Sequence, residues 1–488
     1  MKQKSVGKNA ALNTVRVLVS LLFPLITFPY VSRVLQVENL GKVTYANSII
    51  TYFALFAILG VKTYATREGA ALREDKEKFQ QFFSQVFSIT LITTVLSYAV
   101  LFVMMGCIEE LREYRGVLLI LSASILLTTL GTEWVCSAYE DYAYITVRSI
   151  AFQAVSLVLL LLFVRERSDV YAYAAVLVVS SAGSNVLNLF YMRKYRRLRV
   201  TCHLQLRKHL KPILILFAST LATSIYVSSD ITLLGIFCGD YTTGLYSVST
   251  KLYSIVKNLL SAVILVAIPR FSYYYANGKR KEFNALFSAI SGHLAILTLP
   301  TATGLFLVSD LVVDILSGAS YAPAAASLRI LSIATLFVAS SWVLAQGVLV
   351  PTKQEGYVLK ITLWAVVINV GLNVLLIPLG QQNAAALTTL IAEAFLAVCY
   401  LKKARRFVHA QGLLREIAHA AVGSAAVAFW VLLVRHWLTA DIPTLLVCIA
   451  GGVFWYAVVL LVLHDAVLLE YKAIAWRKLC NLRRRSST

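Results

Sequence analysis

Charge is what this chain has least of. Only 14% of its 488 residues are Asp, Glu, Lys or Arg, against about a quarter in ordinary soluble domains. With 59% hydrophobic residues and a mean hydropathy of +0.74, that excludes a soluble globular chain. Apolar runs of about 20 residues recur along the whole sequence, which marks an all-α polytopic membrane protein. The short alternating segments of a β-barrel are missing. Acidic residues are scarcer than basic ones, 24 against 45, for a net charge of +21. The Lys and Arg cluster in short loops between apolar runs, so topology accounts for them and no nucleic-acid partner is expected. The seven cysteines show no CxxC spacing, which argues against a disulfide framework or a metal site. HExxH, GxSxG, P-loop and GxGxxG signatures are absent with supporting context. The connections are too short to hold a catalytic domain.

What is there is a series of fourteen candidate spans, from 11–33 to 442–464. The first has the basic head of a signal peptide. However, Arg16 interrupts its apolar run and no small-residue cleavage site follows, so it reads as a retained helix. With the N-terminus inside, about 34 Lys and Arg fall on the cytoplasmic side and about seven on the other. That bias predicts two cytoplasmic termini and an even number of spans. The tail "RKLCNLRRRSST" then faces anionic lipid. An internal echo accompanies this: "GKVTYANSI" (41–49) opens the second span and "GLYSVSTKL" (244–252) the eighth. A six-span offset gives both halves one orientation, the parallel-repeat pattern of some transporters, with substrate bound between halves. The expected division is 1–200 and 201–406 as two six-helix lobes, with 407–488 as two added helices and a basic tail.

Polar residues recur at helical spacing inside the spans. In the first, Asn9, Asn13, Arg16, Ser20, Pro24 and Thr27 share one face. In the seventh, Ser219, Thr223, Tyr226 and Asp230 do so, and in the eighth Ser247, Lys251, Ser254, Asn258 and Ser261, with Lys257 close by. Thr44, Asn47, Ser48 and Thr51, and Asn369 and Asn373, add shorter stripes. One such stripe is ordinary helix–helix packing. Four on the opening helices of two repeats predict a shared wet cavity. A carboxylate such as Asp230 costs roughly 2.5–3.5 kcal/mol on insertion scales. Lys251 is expected at a similar depth, so the two could form a structural pair or a gate or coupling site. Arg16, Glu133 and Arg148 group toward the inner side, and Glu393 sits near mid-span as a packed carboxyl or a coupling group.

The residues also resemble a family. "FPLITFPYVSRVLQVENLGKVTYANSIITYFALFAILGVKTYATRE" (23–68) resembles the opening of bacterial polysaccharide flippases of the Wzx type, in its Pro24, "PYVSRVL", Gly41, "ANSI" and "YATRE". "EWVCSAYEDYAYITVRS" (133–149), "YVSSDITLLG", "IPRFSYYYANGKRKEF", "GVLVPTKQE" and "INVGLNVLLIP" follow in family order, so the resemblance covers roughly 1–400. Ala138 departs from it, where a glycine is expected before the Glu140 block. The resemblance implies the multidrug/oligosaccharidyl-lipid/polysaccharide exporter fold, in a multi-pass protein of the bacterial inner membrane. It implies a flippase for O-antigen or exopolysaccharide synthesis. Such a protein moves polyprenyl-diphosphate-linked oligosaccharide to the outer leaflet by alternating access. Basic cavity residues would draw in the diphosphate, a role that Arg16, Arg148 and Lys251 fit, with Asn13, Ser20, Asn47, Ser254 and Asn258 lining the cavity. Asp230, Lys251, Glu133 and Glu393 are the candidates for a gate or ion coupling. Membrane lipid, a polysaccharide polymerase and a chain-length regulator are the implied partners. No cofactor is expected. A diphosphate carries about two charges, so 100 mV, inside negative, favours its outward movement by about 4–5 kcal/mol. Coupling to that potential, to H+ or to Na+ all remain open. The competing readings are a cation-coupled drug or small-molecule antiporter of the same superfamily, and a membrane enzyme acting on lipid-linked sugars.

Overall fold

The computed structural model describes residues 6–409, 412–438 and 441–465; the basic tail lies outside them. Every regular element among the described residues is helical. Among the same residues, eleven stretches are long and apolar enough to cross a membrane. Three helices are too long for one crossing: α1 (Val6–Ile58), α9 (Leu206–Ala276) and α13 (Glu355–Ala404), with 53, 71 and 50 residues. At 1.5 Å per residue, 50 residues would span about 75 Å against a hydrocarbon core of about 30 Å. Each is broken once by non-helical backbone, at Gln36 (φ 63°), Gly239 (φ 78°) and Gln381 (φ 50°). At the first break the Gln36 carboxamide donates to the Arg33 carbonyl at 2.6 Å, which satisfies an acceptor that the break leaves without its helical partner.

The chain divides into two compact units, 1–244 and 245–488. In the first, α1 packs on α3 (Lys76–Cys107), α4 (Arg115–Gly131) and α6 (Tyr142–Phe163). The lower core is aromatic: Phe79, Phe82 and Phe83 of α3 surround Trp134 at the head of the short helix α5 (Trp134–Ala138). Helix α2 (Val61–Leu72) docks there through Val61, Tyr64 and Ala65. Gly60 starts it in the left-handed region, with the Phe217 backbone 2.9 Å from where a Cβ would lie, so only glycine fits. The two glycines of the sequence echo meet in this unit. A Cβ on Gly41 would sit 1.8 Å from the Asp240 carbonyl oxygen and 2.8 Å from the Gly244 nitrogen, and one on Gly244 would sit 2.0 Å from the Val37 carbonyl oxygen. Backbones approach this closely only where side chains are absent.

In the second unit, α10 (Arg280–Leu307), α12 (Ala324–Trp342) and α13 pack together, while α14 (Leu413–Trp437) lies on α10 and α15 (Asp441–Val462) on α14. At one end of α14, the Arg435 fork grips Asp310 of α11 (Ser309–Ser317), with one bond of 3.0 Å. Exposed apolar side chains such as Val266, Leu379 and Phe429 cover the outside, as a lipid-facing surface requires.

Candidate functional site

The site begins with a turn. Helix α4 ends at Gly131, and Thr132 takes a left-handed conformation (φ 37°) before α5 starts. Gly131 lets Asn185 close in: a Cβ there would lie 2.5 Å from the Asn185 Cβ. The Asn188 carboxamide donates to the Gly131 carbonyl at 3.0 Å and fixes the turn. Glu133, the first residue after it, reaches three cations. Arg148 of α6 meets one carboxylate oxygen at 2.6 Å; Lys62 of α2 and Arg16 of α1 approach the other at 3.0 and 3.8 Å. The group carries a net charge of plus two.

The three cations are not equivalent. The Arg148 side chain is 1% exposed, Arg16 29% and Lys62 62%. Arg148 stands behind Glu133, which caps it. Its other amine donates to the Ser184 carbonyl and the Asn185 side chain, both at 3.3 Å, and the guanidinium lies over the Tyr144 ring. Arg16 donates to Asn13 at 3.1 Å. These partners hold charge in place before any ligand arrives, which is the requirement for binding an anion without reorganisation.

In front of Glu133 lies a cavity of about 450 Å³ lined by Arg16, Lys62 and Glu133. Hydroxyl and amide side chains, including Ser20, Thr128, Ser149, Gln153 and Ser181, line the rest together with apolar Phe23, Pro24 and Trp134. Gln153 donates to Ser20 at 3.1 Å across it. Ser180 and Ser181 sit on a π-helical turn, Val179–Gly183, between α7 (Val170–Val178) and α8 (Asn185–Tyr191). Such turns widen a helix and re-aim its side chains, often at functional sites. Cations beside hydroxyl and amide groups suit an anionic head joined to a polyhydroxylated group, and the volume is that of an ordinary ligand site.

Of the residues read from sequence, the first unit brings Arg16, Asn13, Ser20, Glu133 and Arg148 together. Lys62 joins them unannounced. In the sequence it sits among loop cations. Only its place at the start of a buried, aromatic-rich helix face could have flagged it. Asn47 is exposed on the second half of α1, away from this cavity's lining. Asp230 is buried in the first unit. Lys251 is half-buried and Ser254 and Asn258 are exposed, all in the second. There Glu393, 3% exposed, accepts from Lys257 at 3.3 Å. Asn373 donates to Asn369 at 3.2 Å and accepts from Thr388. The glycine expected at Ala138 is not needed: Ala138 is buried in ordinary helix, and Glu140 takes the positive φ (56°), held by Arg73 at 2.6 Å.

Residues 6–275 match the family described as polysaccharide biosynthesis protein. A putative O-antigen transporter of Shigella dysenteriae is 22% identical over 359 residues, covering 71% of this chain and 87% of that one. One of Escherichia coli K12 is 23% identical over 381 residues, covering 76% and 90%. Among solved structures, lipid II flippase MurJ in an inward closed conformation superposes with a TM-score of 0.76, covering 96% of this chain and 99% of that one at 14% identity.

Proposed function

The chain belongs to the polysaccharide biosynthesis protein family, and on that premise we propose that it is a lipid-linked glycan flippase. It is a transporter, not an enzyme. Its substrate is a polyprenyl-diphosphate-linked oligosaccharide, received at the cytoplasmic face of a bacterial inner membrane and released to the outer leaflet by alternating access. The observation that carries this reading is the net-positive cluster of Arg16, Lys62, Glu133 and Arg148 at one end of a hydroxyl-lined cavity. The names of the relatives, O-antigen transporters, support the same substrate class. A cation-binding antiporter would need a net-negative cavity, which is the opposite of this one.

Several finer features belong to the same proposal. Taking each broken helix as two passes gives fourteen, with both termini cytoplasmic. The division at 200/201, with 407–488 as an addition, follows from the repeat. The substrate's two charges couple export to the membrane potential, and Asp230, Lys251, Glu393 and the Asn369–Asn373 pair are the groups through which H+ or Na+ would reset the empty carrier. A polymerase and a chain-length regulator would act on the exported glycan. The test is complementation in cells whose surface glycan depends on this chain. Arg16→Ala and Arg148→Ala should each lower surface glycan at least tenfold at unchanged protein level. Full export by both variants would refute the reading.

A further inference from the structure

The segment after α8 is densely basic. Arg193, Lys194, Arg196, Arg197 and Arg199 follow within one short stretch, and none of them forms an ion pair among the described residues. The segment opens with a 3-10 turn, Met192–Lys194, and its irregular continuation is tied to α3. The Gln80 carboxamide donates to the Arg197 carbonyl at 2.8 Å and accepts from the Arg197 N–H at 2.9 Å. The Ser88 hydroxyl accepts from the Thr201 N–H at 2.9 Å. An amide side chain that bonds both ways to one residue's backbone works like a rung of a sheet ladder and fixes register. The result is a basin of about 1010 Å³ between the start of α3 and this segment, rimmed by the arginines.

Arg196 differs from its neighbours. It is 4% exposed, stacks on the Phe83 ring at 3.9 Å and donates to the Thr132 hydroxyl, while its Nε has no acceptor. A buried guanidinium with one neutral acceptor is expensive unless an anion completes it. Burial pulls it down to about 10, so it is still charged at neutral pH. The same Thr132 lines the 450 Å³ cavity and adjoins Glu133. Arg196, which lines the basin, is therefore bonded directly to a residue that lines the cavity. Topology alone asks for cations in the loop; it does not ask for a concave rim or a buried, half-satisfied guanidinium.

We propose that this basin is a loading site for the diphosphate of the lipid-linked substrate, upstream of the cavity, with Arg196 at the wall between the two. The inference rests on the flippase reading. The ligand chemistry is a multiply charged phosphate group, for which several arginine forks are the matching donors. A phospholipid headgroup offers similar chemistry with a single charge, and the test separates them.

The full chain in detergent is titrated with geranylgeranyl diphosphate, at two salt concentrations, with phosphatidylglycerol as competitor. The variant Arg16→Gln/Arg148→Gln disables the cavity, so what it still binds reports the basin. Binding in that background should persist and then weaken at least tenfold on adding Arg193→Gln, Arg197→Gln and Arg199→Gln. These three positions are exposed, so folding is unaffected, and thermal unfolding checks this. Binding should also weaken with salt, while equal phosphatidylglycerol leaves it in place. No residual binding, residual binding indifferent to the three changes, or equal displacement by phosphatidylglycerol would each overturn the loading site. If the basin binds diphosphate but the chain exports no glycan in cells, the flippase reading fails while the basin stands.

Discussion

Replacing Glu133 by Gln should make the protein less stable and its grip on an anion tighter. The first effect follows from Arg148. That guanidinium is sealed from solvent and has Glu133 as its carboxylate partner at 2.6 Å. Breaking a buried pair typically costs about 3–5 kcal/mol. Glutamine keeps an oxygen that can accept the same hydrogen bond, and Glu133 is 23% exposed to a wet cavity, so about 2 kcal/mol is the reasonable figure here. The contact to Lys62 adds little, because that amine is largely exposed. The second effect follows from charge. A phosphate held by Arg16 and Lys62 would lie about 6 Å from the carboxylate. At an effective dielectric of about 40, the repulsion on the nearer phosphate charge is about 1.4 kcal/mol, and its removal tightens binding at least about tenfold. Arg148→Ala removes a cation and should weaken binding about tenfold by the same arithmetic. Thermal unfolding of the detergent-solubilised chain, with and without geranylgeranyl diphosphate, reads both effects. For Glu133→Gln the unliganded midpoint falls, while the shift produced by ligand grows. If both variants bind more weakly, the cluster only holds helices together and the anion-site reasoning is wrong.

Further expectations concern other parts of the molecule. Gly41→Ala and Gly244→Ala should each cost at least about 1–3 kcal/mol through overpacking, since each new Cβ would overlap a carbonyl oxygen; an unchanged unfolding midpoint for either variant contradicts the close crossing. In the second unit, Lys257→Met leaves Glu393 buried without its cation and should cost about 3 kcal/mol, most of it recovered by adding Glu393→Gln; additive losses in the cycle would show that the two do not interact. Burial works to raise the Asp310 carboxyl, but the Arg435 fork overrides it and holds it below the usual range. Because the folded value is depressed, the stabilisation is complete above the unfolded value of about 3.9 and fades as pH falls through the folded one. The gap in unfolding midpoint between wild type and Asp310→Asn should therefore be steady near pH 6–7 and shrink as pH falls below about 3.9 and through the depressed value of the folded state; a gap that shows no decline with acidification would exclude the ion pair as its source.

The parts of the site that could be read from the sequence are the polar face of one helix and the charges that interrupt apolar runs, Glu133 and Arg148. Asn13, Arg16 and Ser20 lie on a single face of α1, and 3.6-residue periodicity reveals them whatever the rest of the chain does. The breaks in α1, α9 and α13 fall where the apolar runs pause, so spans could be expected even though the backbone there stays almost continuous. Lys62 and Arg196 could not be found this way. Both sit in charge-rich connections, where the positive-inside bias accounts for any lysine or arginine and so conceals the few with a further use. What distinguishes them is tertiary: an aromatic floor built from Phe79, Phe82, Phe83 and Trp134 docks α2 and places Lys62 on Glu133, while Gln80 places the loop that carries Arg196. The glycine expected at Ala138 shows the reverse error. The turn needs one left-handed residue, but Glu140 accepts it because Arg73 holds its side chain.

A carboxylate inside an anion site looks self-defeating until release is considered. Arg16, Lys62 and Arg148 without Glu133 would present three positive charges to a diphosphate, and a site that binds too tightly moves nothing. On the proposed reading Glu133 would lower the affinity by about tenfold, on the figure above, and its contacts to all three cations would re-form as the substrate leaves. On the same flippase reading the membrane potential would contribute more: about 2.3 kcal/mol per charge at 100 mV, or about 4–5 for a diphosphate. The extra binding in Glu133→Gln, about 1.4 kcal/mol, is smaller than that, so the variant should slow export without reversing it. In proteoliposomes an imposed potential, negative on the loading side, should speed transport by wild type and Glu133→Gln alike, with the variant slower throughout. A rate that ignores the potential in both would remove the substrate's charge as the driving force and leave the work to an ion carried by other groups, with Asp230 and Glu393 the first to test.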